Sequence, residues 1–411
     1  MQYIKMARMA NILGIALMLF GMTAPTVSGA RMYVRKLSET LADNYALCWG
    51  NNDRGQLGHG DKKNTNIGVF VHGDHTFIQL AAGESHTCGL LANGTAMCWG
   101  YNYFGETGTY TLLNEPYVLE PDFVSNDHKF TQITTGQYHT CGLIADGTAL
   151  CWGRNHNGQL GISDPGWWVS RAIVEPTAVY GDHKFTQIVA GYEYTCGLLT
   201  NGDVMCWGYN GHRQLGNGVG PNELKVYTFP ILVAGGHKFT QIAGDYEHTC
   251  GLLRDGTAKC WGNNDNGQLG DGTLEDRNRP VDVSGGYKFK KITVGQYHTC
   301  GLLLSDGTAM CWGGGYYGQL GDGTDGTNSR HNIPAAVRGD YKFTQITAGF
   351  GHTCGLLDDG NIMCWGYNHF GALGDETYHD RNVPTLVFTE DIQFSYIAAG
   401  RGHTCGIIIY D

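Results

Sequence analysis

The residues with the clearest capacity for chemistry in this 411-residue chain are its 14 cysteines. They fall into two regularly spaced series, one in the triplet Cys-Trp-Gly and one in the triplet Thr-Cys-Gly. A thiol pattern repeated in this way indicates either a set of disulfides or a set of metal sites. The first series contains Cys48, Cys98, Cys151, Cys206, Cys260, Cys311 and Cys364, and the second contains Cys88, Cys141, Cys196, Cys250, Cys300, Cys354 and Cys405.

A histidine stands two residues before six cysteines of the second series, so a repeated His/Cys/Cys metal site is one interpretation. Structural zinc sites favour cysteines separated by about two to four residues, a spacing that does not occur here, and Tyr194 replaces the histidine in one copy. An even number of cysteines behind an export-type N-terminus favours disulfides. We therefore expect disulfides and no metal.

Short strand-like runs separated by turn residues surround these cysteines. Each copy of the repeat has four such runs, and seven copies at intervals of 50 to 55 residues fill the chain from about residue 43 to its end. The two cysteine-bearing runs are joined by an Asn-Gly or Asp-Gly pair in six copies, as at Asn93. Such pairs form hairpin turns because glycine adopts a positive φ at little cost.

The length of this hairpin loop sets the cysteine pairing. A three-residue loop at 92–94 places Cys88 directly opposite Cys98, and the copy with one extra residue reaches the same pairing with a four-residue loop. Directly opposed residues on antiparallel strands lie within disulfide reach. Six hairpin disulfides are therefore expected: Cys88–Cys98, Cys141–Cys151, Cys196–Cys206, Cys250–Cys260, Cys300–Cys311 and Cys354–Cys364.

Cys48 and Cys405 are left over, near the two ends of the repeat array. They complete each other only if the chain closes into a ring, which removes the two exposed sheet edges. We therefore predict an all-β fold, a seven-bladed β-propeller over 43–411 with one disulfide per blade. In this 3+1 closure, the last blade takes three strands from about 383–410 and one from 45–50, locked by Cys48–Cys405.

Composition supports many short strands and excludes some functions. The chain has 63 glycines, about twice the usual share of roughly 7%, and its 47 aromatic residues (23 Tyr, 15 Phe and 9 Trp) can fill a large core. Its net charge is −11, without any Lys/Arg run longer than two residues. Nucleic-acid binders need a basic surface to neutralise phosphates, so we do not expect nucleic acid as a partner.

The first 30 residues have the layout of a secretory signal peptide. Lys5 and Arg8 precede a short apolar run at 12–20, and Ser28 and Ala30 occupy the −3 and −1 positions of a cleavage site. The apolar run is too short to span a bilayer. We expect residues 1–30 to be removed, 31–42 to form a short lead-in, and the mature protein to be secreted or periplasmic, with no membrane span.

Two motifs resemble a known repeat. The segments 49–58 and 261–270 carry Trp-Gly-Asn-Asn-Asp-x-Gly-Gln-Leu-Gly, and Gly-x-x-His-Thr-Cys-Gly-Leu precedes each hairpin in most copies. Over almost the whole mature chain, these motifs resemble the regulator of chromosome condensation (RCC1-type) repeat family. The resemblance implies a seven-bladed propeller, whereas it says less about function, since one fold carries many functions.

Members of this family imply several activities. The founding member is a guanine-nucleotide exchange factor that binds chromatin. This chain, in contrast, is acidic, is expected to contain disulfides and has no basic tail. The family's ultraviolet-B photoreceptor uses Gly-Trp-Arg-His-Thr motifs, whose tryptophan is missing from segments 136–140, 295–299 and 349–353. Two exported relatives fit better: a bacterial inhibitor of β-lactamases, which lacks these cysteines, and the cysteine-bearing ectodomains of plant crinkly-type receptor kinases.

Two sets of variable loop residues are candidates for binding a partner. The tryptophans after the first-series cysteines and the repeated histidines are expected to be structural, because a catalytic group would occur once. Variable aromatic and basic residues, the types that protein interfaces use, lie inside the Trp-Gly-x-Asn-x-x-Gly loops and just before the repeated histidines. Stacking of tyrosines between adjacent loops is the alternative. Our candidates are Tyr103, Phe104, Trp167, Trp168, Arg213, Tyr316, Tyr317 and Phe370.

Catalytic motifs such as Gly-x-Ser-x-Gly, a phosphate loop or His-Glu-x-x-His do not occur. Asn93 lies in a glycosylation sequon, which matters only in a eukaryotic secretory pathway. We expect a monomeric, exported binding protein for a protein partner, with no enzymatic activity and no cofactor. The alternatives are a guanine-nucleotide exchange factor, an inhibitor of an extracellular enzyme, and an enzyme acting on an extracellular polymer.

Overall fold

Twenty-eight short strands dominate the computed structural model, which describes residues 43–111, 115–162, 172–220, 225–326, 329–389 and 392–409. The strands form seven four-stranded antiparallel sheets arranged as the blades of a ring. One 3-10 turn at Ser125–Asp127 accompanies them. Within the described ranges, no helix has the length and apolar character needed to cross a membrane.

The strand bounds follow the repeat. β1 (Ala46–Gly50) and β2 (Thr65–Phe70) come first. Blade 1 contains β3 (Phe77–Ala82), β4 (His86–Leu91), β5 (Ala96–Tyr101) and β6 (Tyr117–Phe123). Blade 2 contains β7 (Phe130–Thr135), β8 (His139–Ile144), β9 (Ala149–Gly153) and β10 (Ile173–Ala178). Blade 3 contains β11 (Phe185–Ala190), β12 (Tyr194–Leu199), β13 (Val204–Tyr209) and β14 (Val226–Leu232).

The remaining blades have the same plan. Blade 4 contains β15 (Phe239–Gly244), β16 (His248–Leu253), β17 (Ala258–Gly262) and β18 (Arg277–Asp282). Blade 5 contains β19 (Phe289–Val294), β20 (His298–Leu303), β21 (Ala309–Gly314) and β22 (Arg330–Ala336). Blade 6 contains β23 (Phe343–Ala348), β24 (His352–Leu357), β25 (Ile362–Gly366) and β26 (Arg381–Leu386). β27 (Gln393–Ala399) and β28 (His403–Ile409) complete the strands.

The central hairpin of each blade carries the disulfide. In blade 1, Leu91 N–H donates to the Thr95 carbonyl oxygen (2.9 Å) across the loop, and Cys88 is directly opposite Cys98. The longer loop of blade 5 keeps Cys300 opposite Cys311. The structure thus confirms one disulfide in each blade, and all 14 cysteines are paired: 88–98, 141–151, 196–206, 250–260, 300–311, 354–364 and 48–405.

The seventh blade closes the ring by joining the two ends of the chain. Its order is β2-β1-β28-β27, and Cys48 lies opposite Cys405. Closure by this disulfide agrees with the sequence prediction, but the division of strands is two from each end rather than three plus one. The expected third C-terminal strand, β26, pairs with β25 in blade 6. Its proline-containing run returns antiparallel onto the strand just before it, so it ends blade 6 instead of beginning blade 7.

Tryptophan and cysteine pack on opposite faces of each blade, because neighbouring residues on a strand point to opposite sides. The disulfide of Cys88 and Cys98 therefore packs against Phe130 and Trp152 of blade 2, while Trp99 packs against the closing disulfide of blade 7. All seven tryptophans of the repeat are fully buried. Each seam between blades is a core of one disulfide, one tryptophan and one phenylalanine.

The first strands of the blades line a central channel. A glutamine on this innermost strand connects successive blades. Gln79 Nε2 donates to the Ile133 carbonyl oxygen (3.0 Å), and its Oε1 accepts from Ile133 N–H (3.1 Å). Glutamines in blades 2, 3, 4 and 6 likewise donate to a carbonyl oxygen of the next blade, and Lys291 and Tyr396 occupy the same register position in blades 5 and 7. Burial lowers the pKa of Lys291. These contacts hold the wall of the channel together.

Candidate binding face

Both sets of variable loops lie on the same face of the propeller. Strands alternate in direction within a blade, so the connections from first to second strand and from third to fourth strand emerge at the same end. We call this end the loop face; its inner segments are 83–85, 136–138, 191–193, 245–247, 295–297, 349–351 and 400–402. The opposite end, which carries the hairpins between second and third strands, is the hairpin face.

The candidates in blade 1 combine exposure with aromatic stacking. Tyr103 is 61% exposed and contacts Phe104 edge to face, with ring centroids 5.0 Å apart. Phe104 is half-buried against Tyr138 of the next blade (5.4 Å). The guanidinium of Arg154 lies 5.2 Å from the centre of the Phe104 ring and 3.1 Å from the Glu193 carboxylate. This part of the loop face therefore presents an aromatic ridge supported by an ion pair.

The candidates in blades 3, 5 and 6 lie on the same face but are half-buried. Arg213 has a positive φ of 65° and donates to the Asp276 carbonyl oxygen (3.0 Å). Tyr316 donates its hydroxyl to Asn266 Oδ1 (2.6 Å). Tyr317 and Phe370 both pack on Tyr367, with ring centroids at 4.8 and 5.9 Å. Stacking between adjacent loops, the alternative to partner binding, accounts for part of these contacts.

Trp167 and Trp168, the remaining candidates, lie outside the described residues. Their role as an anchor for a partner stays a prediction.

An arc of aromatic rings borders the central channel on the loop face. The Tyr192 and Tyr246 rings lie 4.3 Å apart, Tyr246 and Tyr297 6.3 Å apart, and Tyr297 and Phe350 5.6 Å apart. Arg401 continues the arc, 5.2 Å over the Phe350 ring, and forms an ion pair with Glu84 of blade 1. The four rings and Arg401 come from five consecutive blades, and the ion pair of Arg401 with Glu84 crosses from the last blade to the first, so it exists only in the closed ring.

The channel at this end is an acidic cavity of about 270 Å³. Asp245 and Glu84 line it together with Tyr192, Tyr246, Phe350 and the cationic Arg401. Burial, with a smaller contribution from the Glu84 charge, raises the pKa of Asp245 to about 7. Two residues further along the chain, Glu247 pairs with His212 of the β13–β14 loop at 3.2 Å, and burial raises the pKa of Glu247 as well. The mouth of the channel therefore holds a buried carboxyl group whose ionised form is disfavoured by burial and by the Glu84 charge.

The hairpin face has a different chemistry. Lysines before the first strand of four blades pair with the aspartate of the preceding hairpin at 2.5–2.7 Å; the pairs are Lys184–Asp146, Lys238–Asp203, Lys288–Asp255 and Lys342–Asp306. Asn93 is exposed at a hairpin tip on this face. A glycan there would leave the loop face open.

The repeated histidines are structural, as expected. Each of the six is fully buried, and its Nε2 lies 2.8–2.9 Å from the hydroxyl of a threonine in the next blade, as His86 does from Thr140. The Thr140 hydroxyl donates to the Glu106 carbonyl oxygen, so His86 Nε2 must be the donor. Burial lowers the pKa of these histidines, in His86 to about 3. They are neutral links between blades.

Tyr194 fills the histidine position of blade 3. Its hydroxyl donates to the His248 carbonyl oxygen of blade 4 (2.6 Å). The link between blades is thus kept with a different side chain. In the described part of the chain, no group of three His, Cys, Asp or Glu side chains could hold a metal ion.

Comparison with known proteins assigns this architecture to a family. The family model described as RCC1-like domain matches residues 45–406, which reach from the first strand into the last. The chain belongs to the RCC1-like domain family. The resemblance of its motifs to this repeat is therefore confirmed.

Relatives of this RCC1-like domain differ widely in length. The ultraviolet-B receptor UVR8 of Arabidopsis thaliana is 28% identical over 353 residues, covering 84% of this chain and 78% of that protein. The human E3 ubiquitin-protein ligase HERC2 is 28% identical over 370 residues, which cover 87% of this chain but 7% of HERC2. The region similar to this chain thus makes up most of UVR8 but only a small part of HERC2.

Solved structures share the fold of this RCC1-like domain. Prp20p from Saccharomyces cerevisiae has a TM-score of 0.79 at 21% identity, covering 92% of this chain and 95% of that chain. Human WBSCR16 has the same TM-score and identity, with coverage of 89% and 100%. At this identity the likeness establishes the propeller architecture alone.

One residue of this RCC1-like domain was missed in the sequence. Glu106 occupies a position that holds glutamine in five other blades, and it is fully buried. Its Oε2 accepts from Phe104 N–H (2.7 Å), while its Oε1 has no partner. Burial raises the pKa of Glu106 to about 8. The sequence did contain a signal for this residue, because Glu106 is an acid at a position that is glutamine in five other repeats.

Proposed function

We propose that this RCC1-like domain is an exported, non-enzymatic binding protein that recognises a protein partner through its loop face. The observation that carries the proposal is the chemical difference between the two faces. The loop face concentrates tyrosine, phenylalanine and arginine, the residue types that dominate binding energy at protein interfaces. The hairpin face presents exposed Lys–Asp pairs, which contribute little.

Export is supported by the disulfides. Seven buried disulfides indicate formation in an oxidising compartment, and the layout of residues 1–30 is typical of a secretory signal. Those 30 residues lie outside the described part of the chain. We therefore include secretion or a periplasmic location in the proposed function.

Membership of the family also supports a binding role. Prp20p has been characterised for its binding to Gsp1p and histones, so related propellers present faces to proteins. The alternative function, guanine-nucleotide exchange on a small GTPase, is disfavoured because that reaction takes place in a reducing compartment, where such disulfides do not persist. Inhibition of an extracellular enzyme remains compatible with the loop face as the contact surface.

Photo-crosslinking in the native source tests which face binds. One variant carries p-benzoylphenylalanine in place of the exposed Tyr103 on the loop face, and a matched control carries it in place of the exposed Asn201 on the hairpin face. We expect a light-dependent adduct with one protein from position 103 and none from position 201. Adducts from position 201 alone, or from neither position in the compartment that holds the protein, would contradict the proposal.

A further inference from the structure

The geometry points to the channel mouth on the loop face as a binding site for one positively charged side chain of the partner, a lysine or an arginine. The site consists of the Asp245 carboxylate and the side chains of Tyr192 and Tyr246, which line the same channel. This inference rests on the proposed function, since it names the chemical group of the protein partner that enters the channel.

Asp245 is a carboxylate without a counter-charge. It lines the channel together with Glu84, whose charge makes the ionised form of Asp245 less favourable. Glu84 itself is paired with Arg401. Among the described residues, no lysine, arginine or histidine forms an ion pair with Asp245. A cation in the channel would therefore remove an unfavourable interaction as well as form a favourable one.

Elsewhere on the loop face, the chain places its own cations over its aromatic rings. Arg54 lies 4.7 Å over the Tyr101 ring, Arg154 lies 5.2 Å over Phe104, and Arg401 lies 5.2 Å over Phe350. Two of these arginines also pair with a glutamate, Arg154 with Glu193 and Arg401 with Glu84. An acid with aromatic rings is thus repeatedly completed by a guanidinium on this face.

The Asp245 site has the same components except the cation. Tyr192 and Tyr246 lie edge to face with ring centroids 4.3 Å apart, and the Tyr192 backbone N–H contacts the Asp245 carbonyl oxygen at 3.3 Å. Cations are attracted to the faces of tyrosine rings, most strongly where water is excluded. The arrangement therefore offers both kinds of attraction to an ammonium or guanidinium group that arrives from outside.

The size of the channel restricts the ligand. A volume of about 270 Å³ is below the range of roughly 300–1,000 Å³ typical of small-molecule sites. One extended side chain fits this space, whereas a helix or strand of the partner would remain on the surrounding aromatic arc. The negative net charge of the protein, −11, also favours the approach of a basic segment.

Calorimetry with short peptides tests the site directly. The probes are acetyl-Gly-Lys-Gly-amide and acetyl-Gly-Arg-Gly-amide, with acetyl-Gly-Gln-Gly-amide as the uncharged control. We expect the protein to bind at least one cationic peptide and not the glutamine peptide. Equal affinity for all three peptides, or no binding of either cationic peptide, would overturn the inference.

Substitution at Asp245 assigns the binding to this carboxylate. Asp245→Asn keeps the shape and should weaken binding of the cationic peptide by about tenfold or more. Asp203→Asn removes the same charge from the hairpin face and should leave the affinity unchanged. We expect Asp245→Asn to fold, because it removes a carboxylate without a counter-charge; if its melting temperature falls, Tyr246→Leu provides the second variant. Unchanged affinity in folded Asp245→Asn or in folded Tyr246→Leu would contradict the inference.

The two proposals can fail separately. If the basic peptides do not bind while the crosslink from position 103 still forms, the partner uses the loop face without entering the channel. If the peptides bind through Asp245 but position 103 yields no adduct, the site recognises a cation and the proposed protein partner is wrong.

Discussion

At the scale of single residues, Glu106 shows how burial changes an otherwise ordinary side chain. Glutamine occupies its position in five other blades, where its neutral amide accepts a hydrogen bond from a backbone N–H, as Gln159 Oε1 does from Asn157. Burial raises the pKa of Glu106 to about 8, so the carboxyl group is largely protonated at neutral pH and imitates glutamine. The cost of this arrangement appears when the pH rises, because the unfolded chain releases the proton at its ordinary pKa while the folded chain retains it.

We expect Glu106→Gln to remove a pH dependence of stability. The parent protein should lose about 1.4 kcal/mol of unfolding free energy per pH unit from this group between its unfolded pKa and a pH of about 8. The variant should be more stable than the parent at pH 7 and equal to it near pH 4.5. Urea denaturation of both proteins across this range measures the difference.

The reverse substitution is the matched control. Gln159→Glu in blade 2 places a second buried acid at the corresponding position of the next seam and should create the same slope. Parallel stability curves for parent and Glu106→Gln would show that the group titrates alike in both states.

At the scale of elements, the turn between the first and second strands determines how closely blades approach. Gly83 precedes β4, and a Cβ built on it would lie 2.7 Å from the Gly136 carbonyl oxygen and 3.1 Å from the His86 ring. Glycine is present at this position in six of the seven turns, and Asp245 lies at the equivalent site of blade 4. In these six turns the close approach of the next turn leaves no room for a Cβ, whereas blade 4 carries Asp245, which lines the channel.

We expect Gly83→Ala to destabilise the protein by about 1–3 kcal/mol, the usual cost of overpacking a tight interior. Thermal denaturation of the variant and the parent measures this cost. Gly220→Ala is the control, since its Cβ would meet no atom within 4 Å and its φ is not in the left-handed region. A loss as large for Gly220→Ala would show that close packing at Gly83 is not the cause.

At the scale of the whole molecule, one disulfide joins the ends of the ring. Cys48 and Cys405 are separated by 357 residues, whereas the cysteines of a hairpin are 10 or 11 apart. A cross-link over a longer loop removes more conformational entropy from the unfolded chain. It also keeps β1 and β28 paired, so that neither is an exposed sheet edge.

The double variant Cys48→Ser/Cys405→Ser should therefore be less stable than Cys141→Ser/Cys151→Ser. The chain-entropy account predicts losses of roughly 5–6 kcal/mol for the closing disulfide and about 3 kcal/mol for a hairpin disulfide. Chemical denaturation of both variants beside the parent measures them. Equal losses would mean that constraint of the unfolded chain is not the main contribution of the closing disulfide.

The sequence by itself determined the features that depend on neighbours in the chain or on the number of repeats. The cysteine spacing and the Asn-Gly turns led to the correct hairpin register, because a two-stranded turn has few geometries. Seven copies and an unpaired cysteine at each end led to a closed ring. The motifs also identified the family, and the repeated tryptophans and histidines were correctly predicted to be structural.

Only the tertiary structure decided how distant segments come together. β26 joined blade 6 rather than the closing blade, because it pairs with the strand just before it. Strand direction placed both loop sets on one face, which two separate sequence patterns did not indicate. Asp245 and Glu84 lie in different blades, and their interaction in the channel depends on the closure of the ring. Long-range packing, which leaves no local pattern, created the charged channel mouth.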